Sequence, residues 1–275
     1  MATTAQYLEQ LQADKQTLVD NLVAKGVEAT NDETFTSLVP KVANIQSGGS
    51  ETDEYWDLTT KTSGDIRTYI KKIPMIDTSQ YSSMTSFLGS FSRLEEVPLL
   101  NTSNATNMQA IFSGCSLLTT IPLLDTSNVT NVSSMFYDCF GLTHIPQLNT
   151  SKATTMATMF YRCRALTTVP LLDASNVTNV ASMFIQCNEL TDLGGLKDLG
   201  KAYLTTVSAN YNNYALILSN SNKLTHDSLM NVINNLYDIA SAGVQPQKLQ
   251  LGSTLLSELS DSEKAIATNK GWTLS

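Results

Sequence analysis

The sequence predicts an α/β solenoid: 24-residue repeats stacked into a right-handed superhelix, preceded by a helical segment and followed by an α/β cap. Three observations carry this reading. Proline recurs at Pro74, Pro98, Pro122, Pro146 and Pro170, and cysteine at Cys115, Cys139, Cys163 and Cys187, both with a period of 24 and no slippage. Hydrophobic residues make up 42% of the 275 positions, enough to bury a sizeable core. Only 15% are charged, against roughly 25% in an average soluble domain, so the polar surface is built from Ser, Thr and Asn.

Residues 1–46 read as a helical anchoring or oligomerisation segment. Leu8, Leu11, Lys15, Leu18 and Leu22 fall at coiled-coil spacing over fewer than three heptads. Thr30 and Glu33 form a capping box for a second helix, whose stripe Phe35, Leu38, Val39 and Val42 suits packing on the first. Residues 47–52 are a Gly/Ser linker. A degenerate capping repeat, 53–76, closes on Ile70-Lys71-Lys72-Ile73-Pro74.

Five full repeats occupy 77–196, at 77–100, 101–124, 125–148, 149–172 and 173–196. Each rung samples the same environment, so reading down a column separates core from surface. The core columns begin with Tyr81/Ala105/Val129/Ala153/Val177, Met84/Met108/Val132/Met156/Val180 and Phe87/Ile111/Met135/Met159/Met183. They continue with Leu88/Phe112/Phe136/Phe160/Phe184, with Phe91 heading the four cysteines, and with the columns of Leu142 and Ile145. The spacing of Val132, Met135, Phe136 and Cys139 predicts a short helix or helical turn over 131–139, and Leu142 to Leu148 an extended segment. One such coil buries too little to fold alone, so neighbours must stack, with a rise of about 4.8 Å per rung.

From 197 to 275 the period is lost and a cap is predicted. It comprises a helix from Leu224 to about Ile239, a strand Lys248–Leu251, a helix Ser260–Asn269 and a strand Trp272–Leu274. An uncovered solenoid end is an edge that invites aggregation.

Leu118-Thr119-Thr120-Ile121-Pro122-Leu123-Leu124-Asp125-Thr126-Ser127-Asn128-Val129-Thr130-Asn131-Val132-Ser133-Ser134-Met135-Phe136-Tyr137-Asp138-Cys139 resembles the leucine-rich repeat of the BspA-like family nearly position for position. The resemblance covers about 66–200 and implies recognition or adhesion, with no catalytic residues to carry over. Leu18–Ala29 and Phe35–Val42 are similar to the helical N-terminal segment of tail-fibre proteins from phages of Gram-positive bacteria. That likeness implies a virion component released by lysis. The functional expectation is therefore a non-catalytic receptor-binding protein of a phage virion, joined through 1–46 to other tail proteins and oligomeric, with a trimer as the guess. The alternatives are a bacterial cell-surface adhesin and a structural decoration protein without ligand.

Charge and motifs restrict the chemistry. Seventeen Lys and Arg against 25 Asp and Glu leave a net charge of −8, the wrong sign for a phosphate backbone or an anionic membrane surface. No apolar run approaches the roughly 18 residues of a membrane span, and the first residues lack the basic and apolar regions of a secretory signal. No nucleophile elbow, zinc-protease motif, phosphate loop or dinucleotide fingerprint occurs, so neither an enzyme nor a cofactor is expected. His144 and His226 lie in different segments, and none stands beside the cysteines, which disfavours zinc.

Four cysteines in one core column read as a buried ladder of thiols beside Phe112, Phe136, Phe160 and Phe184, with oxidation or metal binding as alternatives. Asp77, Asn101, Asp125, Asn149 and Asp173 read as a turn ladder accepting backbone N–H groups, with calcium binding the alternative. The six Asn-x-Ser/Thr sequons, at Asn101, Asn104, Asn128, Asn131, Asn149 and Asn176, are by-products of the repeated phrase.

Variable columns are where binding is sought. They read Ser113, Tyr137, Tyr161, Ile185; then Gly114, Asp138, Arg162, Gln186; then Ser116, Phe140, Arg164, Asn188. Tyr137, Phe140, Tyr161, Arg162 and Arg164 are the candidate site for a host surface glycan or protein, because aromatic and Arg side chains dominate binding hot spots. Tyr137 over Tyr161 offers a platform for a sugar ring, with Arg162 and Arg164 pairing an anionic substituent. Unconstrained drift of turn positions is the alternative explanation. The strand face around Glu95, Glu96, His144, Gln147 and Asp192 is the reserve location.

Overall fold

The computed structural model describes residues 30, 70–73, 76, 78–202, 216–243 and 245–275. The expected N-terminal helices, the linker and most of the degenerate repeat lie outside these residues.

The repeats form a solenoid whose successive rungs pair in parallel at an offset of one repeat. Isolated parallel bridges join Ser83 to Asn107, Asn107 to Asn131, Asn131 to Thr155 and Thr155 to Asn179, and a second line joins His144 to Thr168. Longer pairing develops toward the C-terminal rungs. Strands β1 (Thr168–Val169) and β3 (Asp192–Leu193) form one two-stranded parallel sheet, and β2 (Leu172–Asp173) and β4 (Leu196–Lys197) form another. Pro170 separates β1 from β2, at a point where the ladder asks for no backbone donor.

The segment 131–139 is not a helix. Ser134 and Asp138 have left-handed φ of 54° and 58°, and their equivalents in the other rungs do the same. The N–H groups of Val132, Ser134, Phe136 and Asp138 donate to Thr155, Ala157, Met159 and Tyr161 on the following rung. Those of Met135, Tyr137 and Cys139 close turns onto Val132, Ser134 and Phe136. An α-helix would turn the donors beyond its first turn onto its own carbonyls and could not present alternate N–H groups to the next rung along the whole segment, so a run of turns replaces it.

Polar side chains reinforce the stack. The Thr106, Thr130, Thr154 and Thr178 hydroxyls each donate to the carbonyl one rung back, at Ser82, Thr106, Thr130 and Thr154. Thr143, Thr167 and Thr191 form a second such ladder. Asn104, Asn128 and Asn176 donate their amides to Ser79, Ser103 and Ser151 of the rung before, so these sequon nitrogens are engaged in holding rungs together.

The core columns are buried as read from the second repeat onward, but in the first repeat Phe87, Phe91 and Val97 are only partly buried against the core, and the largest correction is at Tyr81. Its neighbours in the column, Ala105, Val129, Ala153 and Val177, are buried, whereas Tyr81 is 39% exposed. A slot that accepts Ala and Val is too small for a phenol ring, which rests against Phe87 instead. Two further buried columns were not singled out from the sequence: Leu100/Leu124/Leu148/Leu172/Leu196 and the threonines Thr78, Thr102, Thr126 and Thr150.

Beyond the last rung the elements among the described residues are β5 (Leu216–Ile217), α1 (His226–Asn235), β6 (Gln247–Gln250), α2 (Gly252–Ser257), α3 (Asp261–Asn269) and β7 (Trp272–Leu274). The helix expected to reach Ile239 ends at Asn235, because Leu236 turns to extended backbone and bridges Leu199. Neither β5 nor α2 was anticipated, since both are too short for periodicity to register. Strands β5, β6 and β7 form one parallel sheet in that order. Helix α1 is placed against the last rung by Thr225 N–H to Thr191 O, Ser228 Oγ to Thr191 O and Leu193 N–H to Ser228 Oγ.

Candidate functional site

The candidate residues share one surface because they occupy variable positions of consecutive rungs. Tyr137 and Tyr161 stack with ring centroids 4.9 Å apart and planes 7° from parallel, close to the rung spacing itself. The Arg162 guanidinium lies 5.8 Å from the Tyr161 ring centre, and that of Arg164 5.0 Å from the Phe140 centre. The five sequence-selected residues thus form two groups, Tyr137 with Tyr161 and Arg162, and Phe140 with Arg164, and all five are at least partly exposed.

The backbone makes the second of the three columns informative. Ser90, Gly114, Asp138, Arg162 and Gln186 all have positive φ, between 58° and 78°, a conformation that favours glycine and costs other residues roughly 1 kcal/mol or more. Glycine stands there once, at Gly114. Asp138, Arg162 and Gln186 instead form a chain: Arg162 Nη1 lies 3.5 Å from Asp138 Oδ2, and Arg162 Nε donates to Gln186 Oε1 at 3.2 Å. Neither Asp138 nor Gln186 was selected from the sequence, although the variability of their column was the available signal.

This geometry changes the expected role of Arg162. Its charge is matched by Asp138 within the protein, so it is not set up to receive an anionic ligand. Arg164 has no carboxylate partner among the described ion pairs, and its guanidinium is applied to a ring face instead.

The other columns have structural occupations. Asn101, Asp125, Asn149 and Asp173 each accept the N–H of the residue two positions on through Oδ1. The Ser127 hydroxyl and N–H hold the Asp125 carboxyl below its usual range. At Asp173 partial burial acts upward, yet hydrogen bonds from Ser175 and Lys197 prevail and the carboxyl is again lowered. A shallow groove of about 450 Å³ follows this edge, lined in part by Asp125, Gln147, Asn149, Leu171, Asp173 and Lys197. The Lys197 ammonium, 3.0 Å from Asp173 Oδ2, occupies the charge a cation would need. No cluster of metal-ligating residues occurs among the described residues.

The four thiols are free and buried. Cys115, Cys139, Cys163 and Cys187 donate S–H to the carbonyls of Leu88, Phe112, Phe136 and Phe160 on the rung before, at 3.0–3.1 Å. Burial pushes Cys115 and Cys187 up to about 12 and raises Cys139 and Cys163 well above the ordinary thiol value. Phe112, Phe136, Phe160 and Phe184 stack beside them at 5.4–5.8 Å. The reserve strand face is dispersed: Glu95 and Glu96 pair with Lys71 and Lys72, Asp192 accepts from Ser228, and Gln147 donates to Leu171 O.

Comparisons place the repeats among known sequences. Residues 78–194 match the family model described as Mycoplasma protein of unknown function, DUF285. No curated protein matches the chain. Among solved structures, a leucine-rich repeat protein of T. pallidum aligns over 76% of this chain and 82% of its own, with 18% identity and a TM-score of 0.43.

Proposed function

We propose that this chain is a non-catalytic binding protein of the adhesin class at a bacterial cell surface, whose turn face contacts a glycan or protein on another surface. The observation that carries the proposal is the Tyr137–Tyr161 stack and, beside it in sequence, Arg164 on Phe140, set on a solenoid whose threonine and asparagine ladders bond rung to rung. The family match over the repeats and their likeness to BspA-like repeats support this reading.

The experiment replaces Tyr137, Phe140, Tyr161, Arg162 and Arg164 together with Ser. Labelled protein should lose at least tenfold of its binding to cells that the parent chain coats, while the thermal transition changes little. Retained cell binding sinks the assignment to this face.

A virion component is the second reading, favoured by the likeness of residues 18–42 to phage tail-fibre segments. Neighbouring genes separate the two: tail and lysis genes on either side support the virion, and a surface-anchoring context supports the adhesin.

A further inference from the structure

The five rungs are not equivalent along the turn face. In the rung 101–124 all three variable positions are small, Ser113, Gly114 and Ser116, and in the rung before they are Gly89, Ser90 and Ser92. In the next two rungs the same positions carry Tyr137, Asp138 and Phe140, then Tyr161, Arg162 and Arg164. The surface therefore steps outward between 101–124 and 125–148.

The riser of this step is aromatic. Because Tyr137 and Tyr161 stack along the solenoid axis, one face of Tyr137 is covered by Tyr161 and the other looks over Ser113. Tyr161 is followed on its far side by Ile185, so the stack is open only at Tyr137. Phe140 repeats the arrangement, with Arg164 over one face and only Ser116 at the equivalent position of the rung below.

On its open side the step carries no unmatched charge: Asp138 is matched by Arg162, the six small residues carry none, and the unmatched Arg164 guanidinium lies behind Phe140, on the side of the following rung. Hydroxyls at Ser113 and Ser116 and the Asp138 carboxylate supply hydrogen-bonding partners around the two rings.

We propose that this step is a subsite for an uncharged sugar ring, which stacks a C–H face on Tyr137 and Phe140 and directs its hydroxyls to Ser113, Ser116 and Asp138. An aromatic wall with a few polar groups at its margin is the composition of small-molecule sites, and none of the residues on its open side, Ser113, Gly114 and Ser116, offers a cation to a polyanion. The proposal rests on the turn-face reading above and replaces the anionic ligand expected from the arginines with a neutral one.

The test is affinity electrophoresis of the full chain in native gels containing dextran, mannan, galactan or polygalacturonate. At least one neutral polymer should retard the protein, equally in low and high salt. Ser113→Tyr continues the tyrosine stack into the step and should weaken retardation at least tenfold, with the thermal transition preserved because the column already accepts Tyr. Tyr137→Ser removes the riser without adding bulk and should have the same effect, so the proposal remains testable if Ser113→Tyr fails to fold. Retardation by no polymer, by polygalacturonate alone, or undiminished in Tyr137→Ser overturns the proposal. In any of those cases, loss of cell binding in the five-residue variant leaves the turn-face reading standing, and retained cell binding removes both.

Discussion

At the scale of single residues, two columns show how repetition turns a small effect into a visible one. The carbonyls of Phe112, Phe136 and Phe160 each accept both their own rung's Cys N–H and the next rung's Cys S–H, as Phe112 does from Cys115 and Cys139. The pH dependence follows. Well below pH 9 the thiols are protonated in the folded and unfolded chain alike; as pH rises through 9.0 toward about 12 the unfolded chain ionises while Cys115 and Cys187 stay largely protonated. Stability should fall through that window, seen as a urea midpoint that declines from pH 8.5 to 10.5 and declines less in Cys115→Ala/Cys187→Ala (pH range set about the ordinary thiol value). Thiol titration should find little reaction in the native protein and four thiols after denaturation. A second residue-scale expectation concerns left-handed backbone. Ala110 has φ 56°, so Ala110→Gly should be neutral or stabilising by up to about 1 kcal/mol, as relief of strain offsets added chain entropy. The same change at Ala153, buried and without positive φ, should destabilise by about 1 kcal/mol, and equal urea shifts for the two would contradict this account.

At the scale of elements, the cap shows how a helix is joined to a ladder. Thr225 N–H continues the line of backbone bonds that runs from Thr143 through Thr167 and Thr191, while its side chain accepts the Ser228 N–H as the N-cap of α1. One residue thus ends the solenoid and starts the helix. Thr225→Ala keeps the main-chain bond and loses the cap, and should cost about 1 kcal/mol. Amide exchange should localise the effect to the first turn of α1, and spreading of the loss into the 149–172 rung would show that cap and solenoid open together. Helix α3 begins in a complete capping box, with Ser260 and Glu263 exchanging bonds, at the residue where the sequence placed the start of a helix. The turns at 131–139 were not legible, because apolar residues three and four apart describe a helix and this run of turns equally well.

At the scale of the whole molecule, stability is a property of neighbours, since each rung's donors are satisfied by the adjacent rungs. The segment 1–46 is expected to oligomerise the chain. Light scattering should give a multiple of the 29.9 kDa mass for the full chain and a single mass for 51–275, whereas two monomers would remove that role. The sequence by itself determined the period, the core columns, the thiol and phenylalanine ladders, the Asp/Asn turn line and the five residues of the turn face. It did so because each rung repeats one environment, so that a single chain serves as its own alignment. Only the tertiary structure decided the backbone of 131–139, where bonds to the next rung outweigh local helix, and the exposure of Tyr81, where the slot is too small. It alone also decided the partner of Arg162. That last point is one of distance: Asp138 and Arg162 lie a full repeat apart in sequence and 3.5 Å apart in space, and a column shows which residue types share a position without showing which neighbour each side chain reaches.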